Sequence, residues 1–101
     1  MKFYEFNDFE YYALIIANDE ENAMLGYEEI VADLEEDEKE LSPDVIDYNE
    51  ALERYKKGNI EGCETEEDKI NDFNENVDNF SRYVSSWKEP WTVLLIDGSL
   101  I

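Results

Sequence analysis

Histidine is absent from this 101-residue chain, and cysteine occurs only once. Without an imidazole, neither a Ser-His nor a Cys-His pair can form, so the common nucleophilic hydrolases are excluded. The lone thiol, Cys63, has no internal disulfide partner and lies in the run Glu61-Gly62-Cys63-Glu64, where neighbouring negative charge disfavours the reactive thiolate. A reducing cytosol is the default compartment for such a chain. Basic residues are scarce too: 8 Lys and Arg stand against 28 Asp and Glu, for a formal charge of −20. Nucleic acid and anionic membrane would repel this surface, because proteins that bind them neutralise phosphates with Lys and Arg. The natural complement is a basic protein groove or a cation. No apolar run approaches the ~20 residues a membrane-spanning helix needs. The N-terminus lacks a basic segment followed by an apolar stretch, so no signal peptide is expected. A cytoplasmic location follows by elimination.

What is present is patterned. Hydrophobic residues make up 43% of the chain and aromatic ones 14%, gathered in blocks, which separates it from a disordered polyanion. One domain over residues 1–101 is expected. Phe3, Tyr4 and Phe6 precede the turn-prone Asn7-Asp8, and a second strand runs from Tyr11 to Ala17, its last five residues continuously apolar as in a central strand. Asn18 or Asp19 caps a first helix with a buried stripe at Ala23, Tyr27, Ile30 and Leu34. Glu35 to Glu40 reads as a frayed helix end or an exposed acidic loop. Ser42-Pro43-Asp44 reads as the start of a second helix, with Val45, Tyr48, Leu52 and Tyr55 on its apolar face and Lys56 and Lys57 before Gly58 at its end. Thr65-Glu66-Glu67-Asp68 opens a third, whose seam is Ile70, Phe73, Val77, Phe80, Val84 and Trp87, stopped by Pro90. Trp91 to Ile96 is a buried strand. The expected fold is α+β: a small antiparallel sheet of about three strands with three helices on one face, in the order β-β-α-α-α-β.

Few residues carry chemistry. Paired carboxylates can act as acid and base, and the acids with hydrophobic neighbours are Glu5, Glu10 and Asp97. Outward alternation on a strand accounts for Glu5 and Glu10, and a turn before Gly98 accounts for Asp97. Asp72 to Asp78 spaces oxygen ligands faintly like a calcium loop, but Val77 stands where the turn glycine belongs, and both Phe73 and Val77 fall on the helical seam. No catalytic residue, metal or cofactor is expected. The arrangement of acids is more informative. Glu29, Asp33 and Glu36 fall on one stripe of the first helix, and Asp68, Asp72 and Glu75 on one stripe of the third. A helical turn rises ~5.4 Å and successive phosphates of one DNA strand advance ~3.4 Å, so the two charge densities are of the same order. Solubility asks a small domain for a net charge of only ~2–8 in magnitude, which this chain far exceeds. The seven tyrosines outnumber what so small a core needs, and Tyr12 and Tyr48 are the expected surface anchors.

With Tyr11-Tyr12-Ala13-Leu14-Ile15-Ile16-Ala17 followed by an acidic helix, this short chain resembles small acidic anti-defence proteins of phages and mobile elements, among them anti-CRISPR proteins that imitate DNA. The resemblance is one of size, charge and general character over the whole chain. It implies a CRISPR effector nuclease as target, whose guide-target channel and PAM-reading residues are strongly basic. The expectation is a non-enzymatic inhibitor that occupies a basic DNA-binding channel, with Glu29, Asp33, Glu36, Glu38, Asp68, Asp72 and Glu75 as its contact set. The alternative is an adaptor that grips a partner through apolar surface, its charge serving solubility. Either way the chain repels itself, so its melting temperature should rise from dilute buffer to about 0.5 M NaCl in a thermal scan; a flat response would mean the charges are already neutralised locally.

Overall fold

The computed structural model describes residues 1–9, 11–31, 36, 40–58, 64–83 and 91–96. β1 (Lys2–Phe6) and β2 (Ala13–Ala17) form the expected hairpin, paired antiparallel from Lys2 opposite Ala17 to Phe6 opposite Ala13. β3 (Asp44–Ile46) adds outside β1 and β4 (Trp91–Ile96) outside β2, giving a four-stranded antiparallel sheet in the order β3-β1-β2-β4. The sheet thus has one strand more than expected.

The extra strand comes from Ser42-Pro43-Asp44, which opens β3 where a helix was expected. The β-branched pair Val45-Ile46 favours extended backbone, and these residues sit opposite Tyr4 and Phe3 of β1. The helix begins only afterwards: the Asp47 carboxylate accepts a hydrogen bond from the Glu50 amide at 2.8 Å and caps α2 (Tyr48–Lys57). Val45 is therefore not on a helix face, and it is 59% exposed.

The other helices start where their caps indicate. Asp19 accepts from the Asn22 amide at 2.9 Å ahead of α1 (Glu20–Gly26), and Thr65 Oγ1 accepts from the Asp68 amide at 3.1 Å ahead of α3 (Glu66–Tyr83). α1 runs on into a π-helical turn, Tyr27–Val31. Its i→i+5 bonding widens the helix and shifts the phase of the apolar stripe. Ile30, expected inside, is 54% exposed, while Val31 packs against the core. Leu34, Cys63, Val84, Trp87, Glu10 and Asp97 lie outside the described residues.

All five residues of β2 are buried, because the sheet is covered on both sides. Leu14 and Ile16 join Phe3, Ile46 and Leu95 beneath α2 and α3, which contribute Ala51, Tyr55, Phe73 and Phe80. Ala13, Ile15 and Ala17 join Tyr4 and Phe6 on the opposite face, beneath Ala23 of α1 and Tyr27 of the π turn. Two helices on one face and one on the other replace the three on one face that the sequence suggested. A strand with no polar side has no surface to give to water, so it needs both covers. On the α1 side, Phe6 stacks on Tyr27 at 4.9 Å between ring centroids, and the Tyr27 hydroxyl donates to the Tyr11 carbonyl at 3.0 Å. In β4, Leu95 faces Leu14 while Val93 faces Ile15, which leaves Leu94 as the extra residue of a bulge. Both leucines then pack on the α2–α3 core, whereas Val93 and Ile96 pack on the other.

Gly26 is where α1 meets the sheet most closely. A Cβ there would lie 2.6 Å from Cγ of Trp91 and 2.7 Å from its Cδ1, so the whole indole would have to shift. Gly26→Ala is expected to lower the urea-unfolding free energy by about 1–2 kcal/mol through overpacking, even though alanine is the better helix former by ~1 kcal/mol. A gain in stability would show that Trp91 is not held against α1.

Candidate functional site: an acidic helix face and a buried carboxylate

α3 turns Phe73 and Phe80 toward the sheet and exposes Glu67, Asp68, Asn71, Asn74, Glu75 and Asp78 on its outer side. Its 18 residues make a rod ~27 Å long at ~1.5 Å per residue. Among the described residues, cations pair with its carboxylates near its ends. Lys56 of α2 reaches Glu66 at 2.8 Å and Glu53 at 3.1 Å, and the hydrogen bond from Lys56 holds the Glu66 carboxyl below the usual carboxylate range. Arg82 pairs with Asp78 at 3.3 Å. Among the described residues, Asp68 and Glu75 have no ion-pair partner. A broad, open trough of about 640 Å³ runs along Asn71, Asn74, Glu75, Val77, Asp78 and Ser81.

Two tyrosines of α2 fix this helix in place. The Tyr55 hydroxyl donates to Asp72 Oδ2, and Asn76 Nδ2 donates to the Asp72 carbonyl at 3.0 Å. Asp72 is thus half-buried and engaged within the fold, unlike the free contact residue expected of it. The Tyr48 hydroxyl donates to Asn74 Oδ1, while its ring packs edge-on against Phe73 at 5.4 Å. Tyr48 stays 40% exposed beside the trough, an aromatic at the margin of the acidic face.

Another member of the expected contact set, Glu29, lies elsewhere. Glu29 is exposed on the π turn, whose core-facing residues pack on the opposite side of the sheet from α3. Glu36 is exposed, and Asp33 and Glu38 lie outside the described residues. Asp68 and Glu75 are brought onto one outer face; Glu29 is separated from them by the sheet.

A second feature escaped the sequence reading. Glu5 faces inward, 5% exposed, on the side of β1 shared with Phe3 and covered by α2. Its Oε2 accepts from Arg54 Nε at 2.7 Å and from the Tyr12 hydroxyl at 2.8 Å. Burial, then the hydrogen bond to Glu5, push the Tyr12 phenol above its ordinary pKa and keep it a donor. Tyr12 is therefore half-buried and spent on the fold, not a surface anchor. The available signal was a lone acid two residues from Phe3 in a strand whose other face was already apolar. Beside this node opens a pocket of about 300 Å³ lined by Glu5, Asn7, Tyr12, Arg54 and Lys57.

These elements define the class: an α+β domain whose antiparallel sheet is sandwiched between one helix and two, with an acidic outer helix face. No helix among the described residues is long and apolar enough to cross a membrane. The chain belongs to the YosH C-terminal domain family, whose model matches residues 1–95. No curated protein and no solved structure was found to match it.

Removing the cation from Glu5 should be costly. Arg54→Met is expected to lower the urea-unfolding free energy by about 2–3 kcal/mol, less than for a fully buried pair because the Arg54 side chain is 37% exposed. Adding Glu5→Gln should recover part of that loss. Strictly additive losses in the double-mutant cycle would mean the two side chains are not coupled.

Proposed function

We propose that this domain is a non-enzymatic acidic inhibitor of a basic nucleic-acid-binding protein in the cytoplasm, and that the outer face of α3 enters the target's groove. The observation that carries the reading is the pair Asp68 and Glu75, which no cation among the described residues pairs, on a helix whose orientation is fixed through Tyr55 and Asp72. A rigid row of carboxylates steers encounter with a positive channel and competes with phosphates for its Lys and Arg. Tyr48, at the margin of the row, adds an aromatic contact. A CRISPR effector nuclease is the target class that the resemblance in size and charge suggests. The adaptor reading draws on Leu25 and Ile30, both substantially exposed on the α1 side.

Displacement of labelled DNA from such a nuclease separates the two. Asp68→Lys combined with Glu75→Lys should weaken displacement by about tenfold or more at moderate salt, through lost steering and lost contacts. Glu29→Lys, on the other side of the sheet, should change it far less. If the wild-type protein displaces no DNA even at low salt, the inhibitor reading is wrong. Partner binding that survives the α3 reversals but is abolished by Leu25→Ser with Ile30→Ser would establish the adaptor instead.

A further inference from the structure

The pocket beside Glu5 is unusual in a chain with so few cations, because two of them line it. Arg54 and Lys57 stand three residues apart on α2, a spacing that brings side chains to one face of a helix, where like charges repel. Glu5 neutralises only one of them. Among the described residues, Lys57 has no hydrogen-bond or ion-pair partner, and Arg54 spends only its Nε, leaving both Nη groups of its fork unbonded. Among the described lining residues two cations therefore stand against one carboxylate, with Glu50, one turn before Arg54 on α2, also acting on its guanidinium. It sits against a side chain that is more than nine-tenths buried and is held by two hydrogen bonds, so the cavity is built and not an accident of surface side chains.

The chemistry of an occupant follows from these groups. A free guanidinium fork matches a planar carboxylate in a bidentate pair. Lys57, the lining cation that Glu5 does not pair, balances one negative charge. A second, as on a phosphate dianion, would meet Glu5 and its cross-strand neighbour Asp44 inside a strongly negative molecule. The Tyr12 ring and the alkyl stems of Arg54 and Lys57 supply an apolar wall. The volume, about 300 Å³, is at the small end of ligand pockets, which run ~300–1,000 Å³. We propose that this pocket binds a monocarboxylate carried on a compact apolar or aromatic body, with Arg54 and Lys57 on the carboxylate and Tyr12 against the body. The carboxylate belongs either to a small organic acid or to the C-terminus of a peptide. The site is independent of the acidic α3 face and stands or falls without it.

Titration of the nitrogen-15-labelled full chain with benzoate, benzamide and inorganic phosphate, followed by NMR, tests this. Benzoate should give saturable shifts at the Arg54 Nε–H, the Asn7 amide and the Lys57 backbone amide. Benzamide, the same body without the charge, should give none, and phosphate should bind about tenfold more weakly or worse. Lys57→Gln removes a group with no hydrogen-bond or ion-pair partner among the described residues, so it should cost the fold only the small dipole contribution of a helix-terminal cation, a shift of a few degrees at most in melting temperature, while weakening benzoate by about fivefold. A short peptide ending in phenylalanine, with a free or an amidated terminus, identifies the source. If only the free acid binds, and about tenfold more tightly than benzoate, the occupant is a peptide terminus; equal or weaker binding assigns the site to a small acid. No saturable response to benzoate, an equal response to benzamide or phosphate, or indifference to Lys57→Gln overturns the proposal.

Discussion

A central strand with no polar side governs this fold. Ala13 to Ala17 are all buried, so neither face of β2 can be left to water, and a 101-residue chain must supply two covers from limited apolar material. It does so by giving α2 and α3 to one side and α1 with its π turn to the other. Each cover then has only one apolar stripe to spend, and apart from Glu5, which is paired to Arg54, the charged side chains described are driven to the outer surfaces. The acidic shells on either side of the molecule are therefore a geometric consequence of a sandwiched sheet. Its thickness parts Glu29 on one side from Asp68 and Glu75 on the other.

Within this arrangement the polar contacts between elements do the aligning. Glu5 ties α2 to β1 through Arg54, while Tyr55 and Tyr48 tie α2 to α3 through Asp72 and Asn74. Hydrophobic burial alone is non-directional and would let a helix slide or roll on the sheet. Hydrogen bonds at fixed positions choose one pose. The outward projection of Asp68 and Glu75 thus depends on Asp72 facing inward one turn away, so the acid bonded within the fold sets the direction of the two that face solvent.

Much of this was legible in the residues. A cap at Asn18 or Asp19, one at Thr65, the hairpin, the seam through Phe73, Val77 and Phe80, and the strand from Trp91 followed from spacing and residue type. Three features were not. Ser42-Pro43-Asp44 is as good a helix start as a chain can write, yet the β-branched pair behind it and an open edge on β1 won, and the cap moved on to Asp47. The stripe through Ile30 assumed 3.6 residues per turn, and no local residue announces a π turn. Glu5 read as a solvent-facing residue because its partner, Arg54, is 49 positions away and only the packing of α2 brings it near. For the candidate site, alternation identified the outward acids of α3, but whether a given acid is bonded to a neighbouring tyrosine is a tertiary fact.

The strand that the sequence disguised also shapes how the molecule behaves in company. β3 is three residues long, is preceded by a proline that offers no amide hydrogen, and begins with Asp44, which lies across from Glu5. A foreign strand laid along that border would find few ladder positions and would have to bring its backbone up against a carboxylate. That border therefore resists edge-to-edge stacking by shape and by missing donors, a protection that added salt does not remove as it removes the mutual repulsion of whole molecules.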